Sequence, residues 1–234
     1  MRARFVLALA ALLAPAAASA AERSYAIGSF ERLRVDGPFE VRVETGRSPG
    51  AHAEAGARYL DRLDVRVEGD TLIVRMGHEG WGESPVGAAD AAPVVTVSTP
   101  MLRSAAANSG ARIAIDRMKA QRIELAVNGA GVVALDAADA DQLDATVIGA
   151  GAMTLGGRAA RARLLTNGPG TIDASALGVS DLTVRLDGTG ETRAQARYTA
   201  QVTNTGLGKV IVAGNAACTV NKGAVGPVEC GPKL

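Results

Sequence analysis

A short glycine-containing corner recurs about every 20 residues through the second half of this 234-residue chain. The segments are NSGA at Asn108–Ala111, NGAG at Asn128–Gly131, IGAG at Ile148–Gly151, NGPG at Asn167–Gly170, DGTG at Asp187–Gly190 and TGLG at Thr205–Gly208. Successive corners lie 20, 20, 19, 20 and 18 residues apart, and a looser copy, KGAVG, runs from Lys222 to Gly226. Self-similarity at so short a period marks a repeat architecture, in which each unit buries its apolar face only against its neighbours.

The residues flanking the corners keep register. Before them, apolar side chains alternate as Ile123, Leu125, Val127, then Leu143, Ala145, Val147, then Leu182, Val184, Leu186. The pattern thins to Ala162, Leu164, Thr166 in one coil and to Ala200, Val202, Asn204 in another. After the corners come Ile113 and Ile115, Val133 and Leu135, Met153 and Leu155, Ile172 and Ala174, Thr192 and Ala194, and Val210 and Val212. Alternation of this kind is the mark of a strand with one buried face. A third short side is expected about ten residues before each corner, with Met118, Ala138 and Leu177 pointing inward. Three short strands per period make one coil of a parallel β-helix, an all-β solenoid whose coils stack about 4.8 Å apart. The chain is 47% hydrophobic but only 3% aromatic, which suits a narrow interior of small and β-branched side chains.

The corner chemistry fits this reading. Glycine allows positive φ, and Asn or Asp tolerates the left-handed region better than other residues. Asn108, Asn128, Asn167 and Asp187 therefore either only turn the chain or also bond from coil to coil. No helix follows these Gly-x-Gly segments, so they do not meet the dinucleotide fingerprint. They also lack the paired aspartates of calcium-binding nonapeptides.

The N-terminal half is less regular but also reads as β. Leu33, Val35, Phe39, Val41 and Val43 alternate around Asp36-Gly37-Pro38. Leu63, Val65 and Val67 precede Glu68-Gly69-Asp70, with Leu72 and Val74 after it, and Val95 and Val97 lead to Pro100. These strands are expected to be the first coils of the same stack, interrupted by two loops at Gly46–Gly56 and Gly77–Pro93. Residues 1–20 read as a cleavable secretory leader: Arg2 and Arg4, an apolar run from Phe5 to Leu13, then Ala18-Ser19-Ala20, with cleavage after Ala20. The expected layout is a single β-helix domain over 21–234. It has less regular coils at 30–104, regular Gly-x-Gly coils at 105–226 and a C-terminal cap at 218–234. Cys218 and Cys230 are the two cysteines and, in an oxidising compartment, are expected to form a disulfide that staples the cap.

FERLRVDGPFEVRVETG from Phe30 to Gly46, LDVRVEGDTLIVR from Leu63 to Arg75, VVTVSTPMLRSAAANSGA from Val94 to Ala111 and the serial corners together resemble the DUF2807 family, also called the auto-transporter adhesin head GIN domain. The resemblance runs from about Phe30 to about Gly226. It implies a right-handed parallel β-helix, an exported location and no established enzymatic activity.

Chemistry-bearing motifs are sparse. The sequence holds no HExxH, CxxC or GxSxG. The net charge of +1 gives no footprint for nucleic acid, and no run after the leader has the length of a membrane span. His52 and His78 both fall in the expected loops and are read as solvated, and no metal or cofactor is expected. Asp136, Asp139, Asp141 and Asp144 cluster in one coil, with Asp116, Glu124 and Asp173 nearby. They are either solubilising charges interleaved with arginines or the acid and base of a polysaccharide-cleaving site. His78, Glu79 and Trp81 form the candidate ligand contact, because a single tryptophan in a loop on a rigid scaffold is a natural recognition element. The expected function is an exported, non-enzymatic binding or structural module of the cell envelope, periplasmic or secreted and adhesin-like, that meets an envelope protein or glycan. The alternative is a polysaccharide-active β-helix enzyme using its surface carboxylates.

Overall fold

The computed structural model describes residues 21–77, 93–221 and 223–231. Residues 1–20, the expected leader, together with 78–92, Lys222 and the last three residues lie outside the described residues. The protein is a β-solenoid of about 6 turns with parallel coils about 20 residues apart. The N-terminal elements are β1 (Ala21–Tyr25), β2 (Arg32–Asp36), β3 (Glu40–Thr45), β4 (Gly50–Ala55), α1 (Ala57–Arg62), β5 (Leu63–Glu68), β6 (Thr71–Met76), β7 (Val94–Thr99) and β8 (Ser104–Asn108). The regular array follows as β9 (Arg112–Asn128), β10 (Val132–Ile148), β11 (Ala152–Asn167), β12 (Thr171–Asp187) and β13 (Glu191–Asn204). Shorter strands close it: β14 (Lys209–Ala213), β15 (Ala217–Val220) and β16 (Val228–Gly231).

Each long strand bends around the coil, so one element carries the post-corner face, the third side and the pre-corner face. Register between neighbours is parallel and nearly unbroken: Val133 sits between Ile113 and Met153, and Val147 between Val127 and Thr166. The alternating residues read from the sequence are the interior. Ile123, Leu125, Val127, Leu143, Val147, Leu182, Val184 and Leu186 are all buried, as are Met118, Ala138 and Leu177 on the third side. Three polar core residues bond locally, although Asn204 Oδ1 is left without a partner among the described residues. The Thr166 and Thr192 hydroxyls bond at 3.0 Å. Asn204 donates from Nδ2 to the Gly208 carbonyl at 2.8 Å and to that of Pro227 at 3.3 Å.

The glycine corners stack, and Gly149 and Gly151 show why. Gly149 has φ of +105°. A Cβ on Gly151 would lie only 2.7 Å from the carbonyl oxygen of Gly131, the equivalent glycine one coil below. The corner column also bonds from coil to coil where its residues permit. Asn128 Nδ2 donates to Asn108 Oδ1 at 2.8 Å, and Asn108 Nδ2 donates to Asp36 Oδ1 at 2.7 Å. Ile148 interrupts the column, and further along it the Thr205 hydroxyl donates to Asp187. The three-membered ladder reaches back to the Asp36-Gly37-Pro38 corner, so this corner belongs to the same stack.

The N-terminal half departs from expectation in three ways. First, its coils do not stack in chain order. β2 pairs with both β6 and β8, and β3 pairs with both β7 and β9. The β2–β3 coil is therefore sandwiched between the later β6–β7 coil and the array. Second, Gly46–Gly56 is not all loop: Gly50–Ala55 is β4, antiparallel to β1 and to β7. Its buried residues are Ala51, Ala53 and Ala55. Alanine has weak strand preference, so the pairing, and not the local sequence, makes this strand. Third, the end of the stack is antiparallel and carries a helix. β5 pairs antiparallel with β6, and α1 crosses from β4 to β5, placing buried Leu60 over the end of the core.

At the other end, β15 extends one face by pairing with β13, and β16 extends the other by pairing with β14. Cys218 is in register with Ala200 and Cys230 with Val212, both core positions. The Cys218–Cys230 disulfide therefore spans the last, half-covered layer of the core, with Cα atoms 6.4 Å apart.

Gly151→Ala should destabilise the protein by about 1–3 kcal/mol through overpacking between coils. Gly28→Ala, where an added Cβ meets nothing within 4 Å, should stay within about 0.5 kcal/mol. Denaturant unfolding of the two variants checks this. Replacing Cys218 and Cys230 by Ser should cost the last coil roughly 3 kcal/mol on the chain-entropy account. Amide exchange should quicken in β15 and β16 and stay unchanged in β10–β12, because stability in a stacked array is local.

Candidate functional surface

The outward face of a solenoid is a set of rungs, in which side chains of equivalent residues in successive coils stand beside one another. Asp139 stands between Lys119 and Arg158. Arg158 donates from Nε and Nη2 to the two Asp139 oxygens at 2.9 and 3.1 Å, and Lys119 Nζ lies 3.9 Å away. The Arg158 guanidinium holds the Asp139 carboxyl below the usual carboxylate range. One rung over, Arg122 donates to Gln142 Oε1 at 2.7 Å, and Gln142 donates to Asp144 at 3.1 Å.

The remaining carboxylates considered from sequence are also engaged nearby. Asp116 accepts from the Thr45 amide at 3.0 Å and from the Arg117 amide at 2.6 Å, pinning the end of β3 to β9. Asp173 accepts from the Ser175 hydroxyl and amide, which lowers its pKa. Arg122 lies 3.9 Å from Glu124. Asp136 and Asp141 are exposed and make no ion pair among the described residues. The acidic coil is thus distributed along the outside of the stack, with Asp139 and Asp144 cross-linked to neighbours and Asp136 and Asp141 open to solvent. His78, Glu79 and Trp81 fall outside the described residues. His52 lies on β4, not in a loop, and is half-exposed.

A feature that the sequence did not reveal lies on the third side. The register between β12 and β13 slips twice there. Ala174 pairs with Ala194 but Gly178 with Gln195, and Val179 pairs with Ala196 but Asp181 with Thr199. The second slip sets Arg197 and Tyr198 against the single residue Ser180, which is a β-bulge. Alternation fails at that point, and Arg197, Tyr198 and Thr199 are exposed in succession. The Arg197 guanidinium carbon lies 5.1 Å from the centre of the Tyr198 ring. Arg197 also lines an open groove of about 470 Å³ with Asp139, Asp141, Arg158 and Ser180. Tyr198 is 56% exposed, the most solvent-accessible aromatic side chain among the described residues. The shortening of the corner spacing from 20 to 18 residues at this coil reflects the first slip, where Ser175–Leu177 have no counterpart in β13; the added residue of the bulge has no signal of its own in the sequence.

The family model described as "Putative auto-transporter adhesin, head GIN domain" (DUF2807) matches residues 29–216. The chain belongs to this family. The GIN-domain fold recurs in solved structures of low sequence identity. A "putative adhesin" from Bacteroides fragilis superposes with a TM-score of 0.81 at 17% identity, covering 92% of this chain and 98% of that one. A "putative adhesin" from Parabacteroides merdae gives 0.68 at 15% identity over 93% and 97% of the two chains. A "putative lipid binding protein" from Parabacteroides distasonis gives 0.67 at 15%, with the same coverage. No curated protein matches the sequence. No helix among the described residues of this GIN domain is long and apolar enough to cross a membrane.

Arg158→Ala should raise the Asp139 pKa toward the ordinary aspartate value, as read by carboxyl NMR titration. Because the folded-state pKa is depressed, the stability tied to this pair is present above the unfolded aspartate pKa and is lost as pH falls through the folded value. The variant should lose that part of the acid-side pH dependence.

Proposed function

We propose that this GIN domain is an exported, non-enzymatic binding module of the cell envelope that recognises glycan on its third side, around Arg197 and Tyr198. The observation that carries the reading is the bulge in β13. It turns an aromatic ring and a guanidinium outward together, beside a groove lined by carboxylates, a hydroxyl and a second arginine. An exposed tyrosine offers a flat apolar face with a polar tip, and it loses little rotamer entropy on contact. The adjoining Asp139, Arg158 and Ser180 supply donors and acceptors of the kind that sugar hydroxyls require. Both lie on a hydrogen-bonded strand scaffold, so the surface is set before binding.

The non-enzymatic part of the reading rests on the cross-linking of the acidic coil, where Asp139 and Asp144 are held by neighbouring coils. Export rests on the leader expected at residues 1–20, and the disulfide is compatible with it. The loop with His78, Glu79 and Trp81 is proposed as a secondary contact.

A screen of the purified protein against envelope polysaccharide fragments and envelope proteins tests the reading. Glycan binding should fall about tenfold or more in Tyr198→Ala, the loss expected for an anchoring aromatic, with an unchanged melting temperature. Trp81→Ala should weaken it less. Wild-type binding by Tyr198→Ala would move recognition off the third side. Selective capture of a protein with no glycan signal would assign a protein partner instead. Polysaccharide turnover abolished by Asp136→Asn or Asp144→Asn would establish the enzymatic alternative.

A further inference from the structure

A second set of side chains lies at the opposite end of the molecule from the β13 bulge. β1 pairs antiparallel with β4, and the register sets Glu22 opposite Glu54 and Ser24 opposite His52. His52 and Glu54 are two residues apart on one strand, so both share the face that carries Glu22. His52 Nε2 lies 3.6 Å from Glu54 Oε1 and 3.9 Å from Glu22 Oε2. One ligand atom from each of the three lies within 4.8 Å of the others.

Two carboxylates directly opposed on an antiparallel pair repel each other. Elsewhere this solenoid relieves such a rung with a cation: Glu124 stands opposite Asp144, and Arg122 lies 3.9 Å from each. At the Glu22–Glu54 rung, no lysine or arginine among the described residues pairs with either carboxylate. The nearest basic residue in sequence, Arg23, points to the other face, where it donates to the Leu60 carbonyl at 2.6 Å and to Asp61 at 2.7 Å. In place of an arginine, the rung has an imidazole.

We propose that Glu22, His52 and Glu54 bind a divalent transition-metal cation of the zinc type. An imidazole nitrogen and two carboxylate oxygens are a donor set suited to such ions. Metal–ligand bonds of about 2.0–2.2 Å place tetrahedral ligands about 3.3 Å apart; the two His52 contacts at 3.6 and 3.9 Å lie close to that, and the carboxylate oxygens, within 4.8 Å of each other, close by side-chain rotation. All three side chains are partly exposed and free to make that shift. Calcium and magnesium are disfavoured, since they require six or more oxygen ligands or near-octahedral oxygen geometry. The bound ion clips β1, the outermost strand of the post-corner face, to β4, and neutralises an opposed rung that has no lysine or arginine partner among the described residues.

Titration of the purified protein with Zn²⁺ by calorimetry, with amide exchange of β1 followed in parallel, tests the site. The expected result is one ion per chain, with affinity lowered about tenfold or more in His52→Ala and in Glu22→Gln, since each removes one of three protein ligands. Glu68→Gln, on the opposite face, should bind as wild type, and Ca²⁺ should bind far more weakly than Zn²⁺. Zn²⁺ should slow exchange of the β1 amides in the wild-type protein, and this readout does not depend on any variant folding. Absence of saturable uptake overturns the proposal. So does uptake unaffected by both substitutions, equal affinity for Ca²⁺, or β1 exchange indifferent to Zn²⁺.

Discussion

Vertical repetition at strand spacing governs this molecule. Once one coil lies about 4.8 Å above another with backbone hydrogen bonds between them, every position inherits the environment of its counterpart below. Inward positions must be apolar and similar in size, which makes columns such as Ile113, Val133, Met153 and Ile172. Corner positions must leave room for the corner beneath, so from Gly131 onward a second glycine recurs, at Gly151, Gly170, Gly190 and Gly208, where a side chain would strike a carbonyl. Outward positions form rungs of charge, and their pairing follows from the same register.

This is also why the array was legible in the sequence and its ends were not. Within residues 105–213 the period forces like residues into like places, and alternation gave the correct burial for all three sides. Thr166 and Asn204 look like weakening of the pattern in the sequence; they are core positions, Thr166 bonding the Thr192 hydroxyl and Asn204 donating to the Gly208 and Pro227 carbonyls. At the N-terminus no period exists to read. Ala51, Ala53 and Ala55 carry too little hydrophobic contrast to announce β4, and α1 has neither an acidic first turn nor a side-chain cap. The reversed order of the first coils is a property of pairing, which local sequence does not encode. The sandwiched coil was still visible by analogy, because Asp36-Gly37-Pro38 looks like the later corners and proves to share their ladder through Asn108.

The two candidate recognition features share an origin. Both sit where the regular rungs fail. In β13 an extra residue breaks alternation and turns Arg197 and Tyr198 outward together. Between β1 and β4 an antiparallel pairing, of a kind that the described residues show only at the N-terminal end of the stack, brings two glutamates and a histidine to one spot. A perfect solenoid offers long ladders of balanced charge, and chemical distinctiveness enters only through its irregularities. The acidic coil shows the converse: conspicuous in composition, it has Asp139 and Asp144 absorbed by neighbouring arginines and an amide once the coils are stacked.

The sandwiching of β2 and β3 bears on how the chain assembles. During synthesis these strands emerge before their partners on either side, and the two edges of the coil are not both occupied until the start of β9 exists. The first coil made is therefore not a seed on which later coils zip in order; its array-side edge waits for chain 72 residues further on, Ser104 for Arg32 and Arg112 for Glu40. Once β7 has been laid outside it and the segment Pro100–Arg103 has passed over it to β8, that coil is interlocked. It cannot peel away as a terminal repeat does, because its release requires β6 and β7 to leave first. The least periodic part of the sequence thus forms an end that resists unravelling, while the opposite end relies on a covalent bond between Cys218 and Cys230.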